Sequence, residues 1–157
     1  KRKKWTGLDW RNRKKSAVSA ARKMRGVQPS FSLRNASRHR IPRVPFLRIK
    51  EKVLGKKYEL SVAFVGPGKI RELNRRYRKH DEATDILSFG LSENSGELYL
   101  CMREVVKKSK RFGMTVPHYL GYLFIHGLLH LEGMDHGRTM DTLERKFCRA
   151  FGLPSPR

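Results

Sequence analysis

The stretch HGLLHLEGMDH occupies residues 126–136 and closes the longest uncharged run of the chain, Phe112–Leu131. Pro117 can open a helix within that run, and the helix would reach Leu131. Its apolar residues lie nearly all round, so the helix is expected in the interior of the fold rather than on its surface. The run also holds three glycines and three histidines, a poor composition for a membrane span. Gly133 is placed to end the helix as a C-terminal cap.

The neighbouring segments alternate between strand and helix signals. Tyr58–Val65 (YELSVAFV) is rich in β-branched and aromatic residues and reads as a strand. Gly66-Pro67-Gly68 turns the chain into Lys69–Arg78, where Ile70, Leu73 and Tyr77 make a helical stripe with basic residues opposite. Asp85–Phe89 and Glu97–Cys101 read as two more strands, with a hairpin-type turn at Asn94-Ser95-Gly96. Val105–Phe112 reads as a helix, and Arg138–Phe151 as a last amphipathic one, stopped by Gly152 and Pro154. This order predicts an α+β fold: a small mixed β-sheet packed by several helices.

Three of the six histidines fall within the opening stretch. His126 and His130 are four apart, so a helix puts them on one face. The glycine turn lets His136 come back as a third corner. Three imidazoles with one open position match a catalytic zinc site, since a closed structural site takes four protein ligands. A water or substrate in the open position would be activated by the ion. Asp135 is a natural acceptor for an imidazole N–H. The plain alternative is three unrelated histidines; their spacing argues against it. A second alternative is a zinc protease of the HExxHxxGxxH type, with histidines and glycine at the same intervals. That chemistry needs a glutamate as general base where this chain has Gly127.

The 157 residues carry 36 lysines and arginines against 14 acids, a net charge of +22. Residues 1–50 hold 17 of the basic residues and a single acid, Asp9. An excess of this size favours a polyanionic partner, nucleic acid above all. Charge and composition divide the chain into a basic arm, residues 1–42, and a domain, residues 43–157. Ser16–Met24 could form a short helix in the arm, and Pro42 and Pro45 mark an extended connector. Trp5 and Trp10 lie among the arm's basic clusters, where they could stack on unpaired bases or dock the arm onto the domain. An Arg-rich, Ser-containing, acid-poor segment also describes an organellar targeting peptide, which keeps that reading open for residues 1–40. Cys101 and Cys148 make no metal pair or disulfide framework and are expected as buried small hydrophobes.

The HGxLHLxGxDH pattern resembles the YbeY family of rRNA-processing endoribonucleases. A second block agrees: Asn74, Tyr77, Arg78, Asp81, Thr84, Asp85, Leu87, Ser88 and Phe89 are similar to that family's LNxxYRxxDxxTDVLSF signature. Gly96–Leu100 resembles its GDIxI strand, with glutamate for aspartate. The likeness spans about residues 43–153, departs at Gly90 and Met134, and leaves residues 1–40 without a counterpart.

The resemblance implies one zinc ion held by His126, His130 and His136, with water or substrate as fourth ligand, and a role for Arg78 near the substrate. It further implies single-strand-selective RNA cleavage, maturation of small-subunit rRNA at its 3′ end, and ribosome quality control. The implied partners are rRNA, the small ribosomal subunit, its proteins and assembly GTPases. The expected location is the cytoplasm, on the ribosome, or a mitochondrion or plastid if the arm is a targeting segment.

An arginine close to the metal could neutralise a phosphodiester; the resemblance makes Arg78 the candidate, and its plain alternative is an ion pair with Asp81 or Asp85. Arg75 and Arg76 would touch phosphate or solvent, and Thr84, Asp85 and Ser88 are expected in structural roles. A rival of another class is a ribosome-assembly factor that mainly binds RNA and keeps its metal for structure. The arm's charge yields a test common to both. Removing residues 1–40 is expected to weaken RNA affinity and flatten its dependence on salt, because fewer counterions are released. An unchanged slope in a salt titration would point to targeting or structure instead.

Overall fold

A computed structural model of the protein describes residues 30–156. Trp5, Trp10 and the short helix expected at residues 16–24 lie outside the described residues. The elements in chain order are β1 (Phe31–Asn35), α1 (Phe46–Leu54), β2 (Glu59–Phe64), α2 (Pro67–Arg78), β3 (Ile86–Ser92), β4 (Ser95–Leu100), α3 (Met102–Arg111), α4 (Val116–Leu131) and α5 (Arg138–Ala150). The four strands form one sheet in the order β1-β2-β4-β3. β1 and β4 both run parallel to β2, and β3 is antiparallel to β4. The fold is the expected mixed sheet with helices.

Two elements lie where the charge pattern suggests arm or connector. β1 is an edge strand, with Phe31 opposite Leu60 and Asn35 opposite Phe64. Its residues are half-buried or exposed, so it lacks the apolar alternation that betrays an inner strand. α1 follows Pro45 and buries Phe46 and Ile49. Phe46 meets the ring of Phe124 edge-on at 5.0 Å. The sheet therefore begins before residue 43, and the expected boundary there is corrected: the folded unit takes in β1. A truncation that tests the arm's charge without removing a strand stops at residue 29.

The remaining elements follow their sequence signals closely. The β3–β4 turn sits at Glu93-Asn94, one residue before the expected position, because Ser92 pairs with Ser95 and Gly90 with Gly96. Alternation along β4 splits the sheet between two cores. Leu98 and Leu100 join Leu60, Val62 and Phe64 against α1 and α4, while Tyr99 joins Phe89, Leu87, Ile70 and Leu73 under α2. Both cysteines are buried and unpaired by disulfide. No helix among the described residues is long and apolar enough to cross a membrane.

α4 is the central helix, buried at nine positions, and it presses directly on the sheet. It comes close to the sheet at Gly127, where an added Cβ would lie 2.5 Å from Cδ1 of Ile86 and 3.2 Å from Cδ2 of Leu98. Ser88 Oγ donates to the Gly127 carbonyl at 3.2 Å, tying helix to strand. Position 127 therefore faces β3 and β4, and a glutamate there would drive its carboxylate into the sheet. Gly127→Glu is expected to destabilise the domain by roughly 3 kcal/mol or more, from overpacking and a buried polar group, as read by chemical denaturation. Native stability in that variant would show that the helix can stand off from the sheet.

Candidate metal centre

The site is built at the C-terminal end of α4. The helix ends through paired backbone bonds: Gly133 N donates to His130 O at 3.0 Å and Met134 N to Leu129 O at 3.1 Å. This termination needs a left-handed residue, and Gly133 has φ +89°. The reversal presents the Met134 carbonyl to His130 Nδ1 at 3.0 Å. It also carries His136 back beside the helix, where its ring centroid lies 5.1 Å from that of His126 and 4.7 Å from that of His130. One nitrogen from each histidine falls within 4.8 Å of the others. His126 and His130 are half-buried and His136 is exposed, so the cluster opens to solvent on one side.

The hydrogen bonds orient the rings. His126 Nδ1 is bonded to Glu144 Oε1 of α5, and Tyr122 donates to the other carboxylate oxygen of Glu144 at 3.3 Å. With Nδ1–H of His126 and of His130 donated to these acceptors, both rings carry their free lone pairs on Nε2. These two Nε2 atoms face each other at 3.1 Å. Two lone pairs opposed at that distance repel unless a cation lies between them. The separation is close to the ~3.3 Å that two imidazoles bound to one tetrahedral ion at ~2.0–2.1 Å require. The residues present therefore fit a metal ion held by His126, His130 and His136.

Electrostatics favours the same state. Burial, then the neighbouring His126 and His136, pull the pKa of His130 down to about 4, with a smaller push in the same direction from Arg78. Hydrogen bonding to the Met134 carbonyl acts the other way. His130 is thus neutral at physiological pH and ready to ligate.

The structure also sorts the other expected site residues. Arg78 donates from Nη2 to the Ser88 carbonyl at 3.1 Å and lies over the ring of Phe89 at 5.7 Å. The ion-pair alternatives are otherwise occupied: Asp81 takes a two-pronged bond from Arg71 at 2.9 and 3.1 Å, and Asp85 pairs with Lys108 at 3.2 Å. Arg75 and Arg76 are exposed on α2. Asp85 also accepts from Tyr119 Oη at 2.7 Å and from the Ile86 amide at 2.9 Å, and Thr84 donates to it at 3.3 Å, so Thr84 and Asp85 pin the start of β3 to α4.

Asp135 is exposed, and the acceptors for His126 and His130 are Glu144 and the Met134 carbonyl instead. Glu144 was not singled out from the sequence, yet it left a trace there. Met140, Glu144 and Cys148 form the buried face of α5, and a glutamate within such a stripe calls for a partner.

Comparison with known proteins identifies the family. The family model described as Endoribonuclease YbeY matches residues 32–150. The chain belongs to the YbeY endoribonuclease family. An Endoribonuclease YbeY of Aromatoleum aromaticum is 36% identical over 106 residues, covering 62% of this chain and 69% of that protein. One from Limosilactobacillus reuteri is 34% identical over 128 residues, covering 66% of this chain and 80% of that protein. Among solved structures, the solution structure of TM1509 from Thermotoga maritima is similar with a TM-score of 0.53 and 27% identity, covering 74% of this chain and 85% of that one. The YbeY match begins at residue 32 and so takes in all of β1 but Phe31.

The lowered pKa of His130 has a consequence for stability in the chelated protein. Between its unfolded value, near 6.5, and about 4 in the folded state, the unfolded chain binds the extra proton. Acidification through that window therefore favours unfolding, and the loss levels off below the folded value. Denaturant titrations in chelator should show stability falling from pH 6.5 towards 4, with a shallower fall in His130→Asn. Parallel profiles for the two proteins would contradict a neutral, desolvated His130.

Proposed function

We propose that this protein is a zinc-dependent endoribonuclease that cleaves single-stranded RNA, acting in 3′-end maturation of small-subunit rRNA and in ribosome quality control. The observation that carries the reading is the convergence of His126, His130 and His136 on one open point, in a chain matched over residues 32–150 by the YbeY family model. An all-imidazole set suits zinc. When bound, the ion would supply Lewis acidity at the phosphodiester and lower the pKa of water.

The chain's own residues do the rest. Glu144, through His126 Nδ1, and the Met134 carbonyl, through His130 Nδ1, hold the two rings with Nε2 forward. Such acceptors raise ligand basicity and fix ring orientation. His136, exposed at the edge of the cluster, leaves the approach open for a strand. Arg78 supplies a positive charge that already acts on His130 and would offset charge building on the phosphoryl oxygens. Arg75 and Arg76, exposed on α2, would touch the RNA backbone, and the basic arm, Trp5 and Trp10 included, would dock the enzyme on rRNA of the small subunit, alongside ribosomal proteins and assembly GTPases. The proposed location is the ribosome, in the cytoplasm or, with residues 1–40 as targeting segment, in an organelle. The side exposure of the cluster favours catalysis over a closed, structural metal. The protease alternative lacks its general base, since position 127 is a glycine and faces the sheet.

His130→Ala is the decisive variant. It should abolish cleavage of a single-stranded RNA while leaving RNA binding within about threefold of the wild type, a change under ~0.7 kcal/mol. Normal cleavage by this variant would defeat the enzymatic reading. The ends of the product report the nucleophile: a 3′-hydroxyl with a 5′-phosphate indicates water, and a 2′,3′-cyclic phosphate indicates the ribose 2′-hydroxyl.

A further inference from the structure

A cleft of about 480 Å³ runs from His126 outward between the start of β3, the end of α3 and the outer face of α4. His126 and, from the C-terminal tail, Pro156 are among its lining residues. Its wall is a staircase of rings. Phe112 stacks on Tyr119 with centroids 5.7 Å apart and planes 23° apart. Tyr119 is followed by Tyr122 at 6.1 Å, and Tyr122 by His126 at 6.0 Å. The lower steps are buried or half-buried, but Phe112 at the mouth is 47% exposed, one of three large hydrophobic side chains exposed among the described residues. The other two, Leu33 and Leu47, do not line this cleft.

Two cations line the same cleft, Lys108 and Arg111. They are not equivalent. Lys108 is paired with the buried carboxylate of Asp85 at 3.2 Å, which cancels its charge locally. Arg111 has no ion-pair partner among the described residues and is exposed next to Phe112. An exposed aromatic ring beside an uncompensated guanidinium, in a cleft that reaches one candidate metal ligand, His126, suits a nucleotide: a flat base and a phosphate on one backbone unit.

We propose that this cleft holds an unpaired nucleotide flanking the scissile phosphate, with its base stacked on Phe112 and a phosphate on Arg111. The proposal rests on the endoribonuclease reading and adds the subsite that would select unpaired strands. A base held in a duplex cannot leave its stack to lie on Phe112 without first unpairing, so the subsite discriminates by strandedness rather than by sequence. Every base offers a π-face, so little preference among bases is expected.

The test uses the full chain and a short fluorescein-labelled oligouridylate, with anisotropy measured in chelator to prevent turnover and KM measured on the metal-loaded enzyme. Phe112→Ala should weaken binding roughly tenfold and raise KM by a similar factor with kcat retained, while Phe112→Trp should bind as well as the wild type. Binding to a blunt RNA duplex should be unchanged by Phe112→Ala. Arg111→Gln should lower the slope of log Kd against log salt by about 0.7, the release of one counterion from a single strand. Thermal melts confirm folding, which substitutions at two exposed positions should leave intact. Unchanged affinity in both Phe112→Ala and Arg111→Gln, or equal losses for duplex and single strand, would overturn the subsite. If the subsite fails in this way while the wild type still cleaves RNA, the endoribonuclease reading survives. If the wild type binds through Phe112 but its metal-loaded form never cleaves, the nucleotide contact stands, and its place beside a scissile phosphate falls with the enzymatic reading.

Discussion

The site depends on how one buried helix ends. α4 is packed against the sheet along its length, so its C-terminal turn has a fixed place relative to β3 and α5. The left-handed Gly133 reverses the chain there, satisfies the last carbonyls, and turns the Met134 carbonyl onto His130. One backbone device therefore caps the helix, orients a ligand and returns His136 to the cluster. A side chain at residue 133 would carry the strain of a conformation that L residues rarely adopt.

The second support comes from outside α4. Glu144 of α5 is buried at 7% exposure and holds His126 through Nδ1. Burying a carboxylate is costly unless it is bonded, and here it is bonded twice, to His126 and to Tyr122. The same carboxylate, behind the effect of burial, helps push the Cys148 thiol up to about 12, which keeps that cysteine protonated. Two of the three buried acids among the described residues are tied to partners on α4, Glu144 to His126 and Tyr122 and Asp85 to Tyr119, while the third, Glu97, accepts from Tyr99 within β4. The two latches on α4 fix it against α5 and against β3, at either side of the cleft that His126 helps to line.

Much of this was readable in the primary structure because its signals were local. The strands of β2 and β4, the stripe of α2, the all-round apolar α4 and the three histidines each declare themselves within a window of about a dozen residues, where periodicity is reliable. The edge strand β1 did not, because an exposed edge carries little apolar alternation and lay inside a basic stretch. Asp135 was the nearest acid in sequence to His136, and adjacency made it a natural acceptor for a ligand. Folding gave the role at His126 to Glu144 instead, which is eighteen positions away on the next helix.

The amino-acid sequence by itself determined which side chains could ligate, because two histidines one helical turn apart and a third beyond a glycine meet through short-range geometry alone. It likewise determined that position 127 holds no general base. Only the tertiary structure decided what orients those ligands and what lies beside them. The Glu144 bond, the Asp85–Tyr119 latch and the aromatic cleft from His126 to Phe112 each join residues of different elements, beyond the reach of helix or strand periodicity. Their partners are brought together by packing against a common sheet, and no local pattern encodes that pairing.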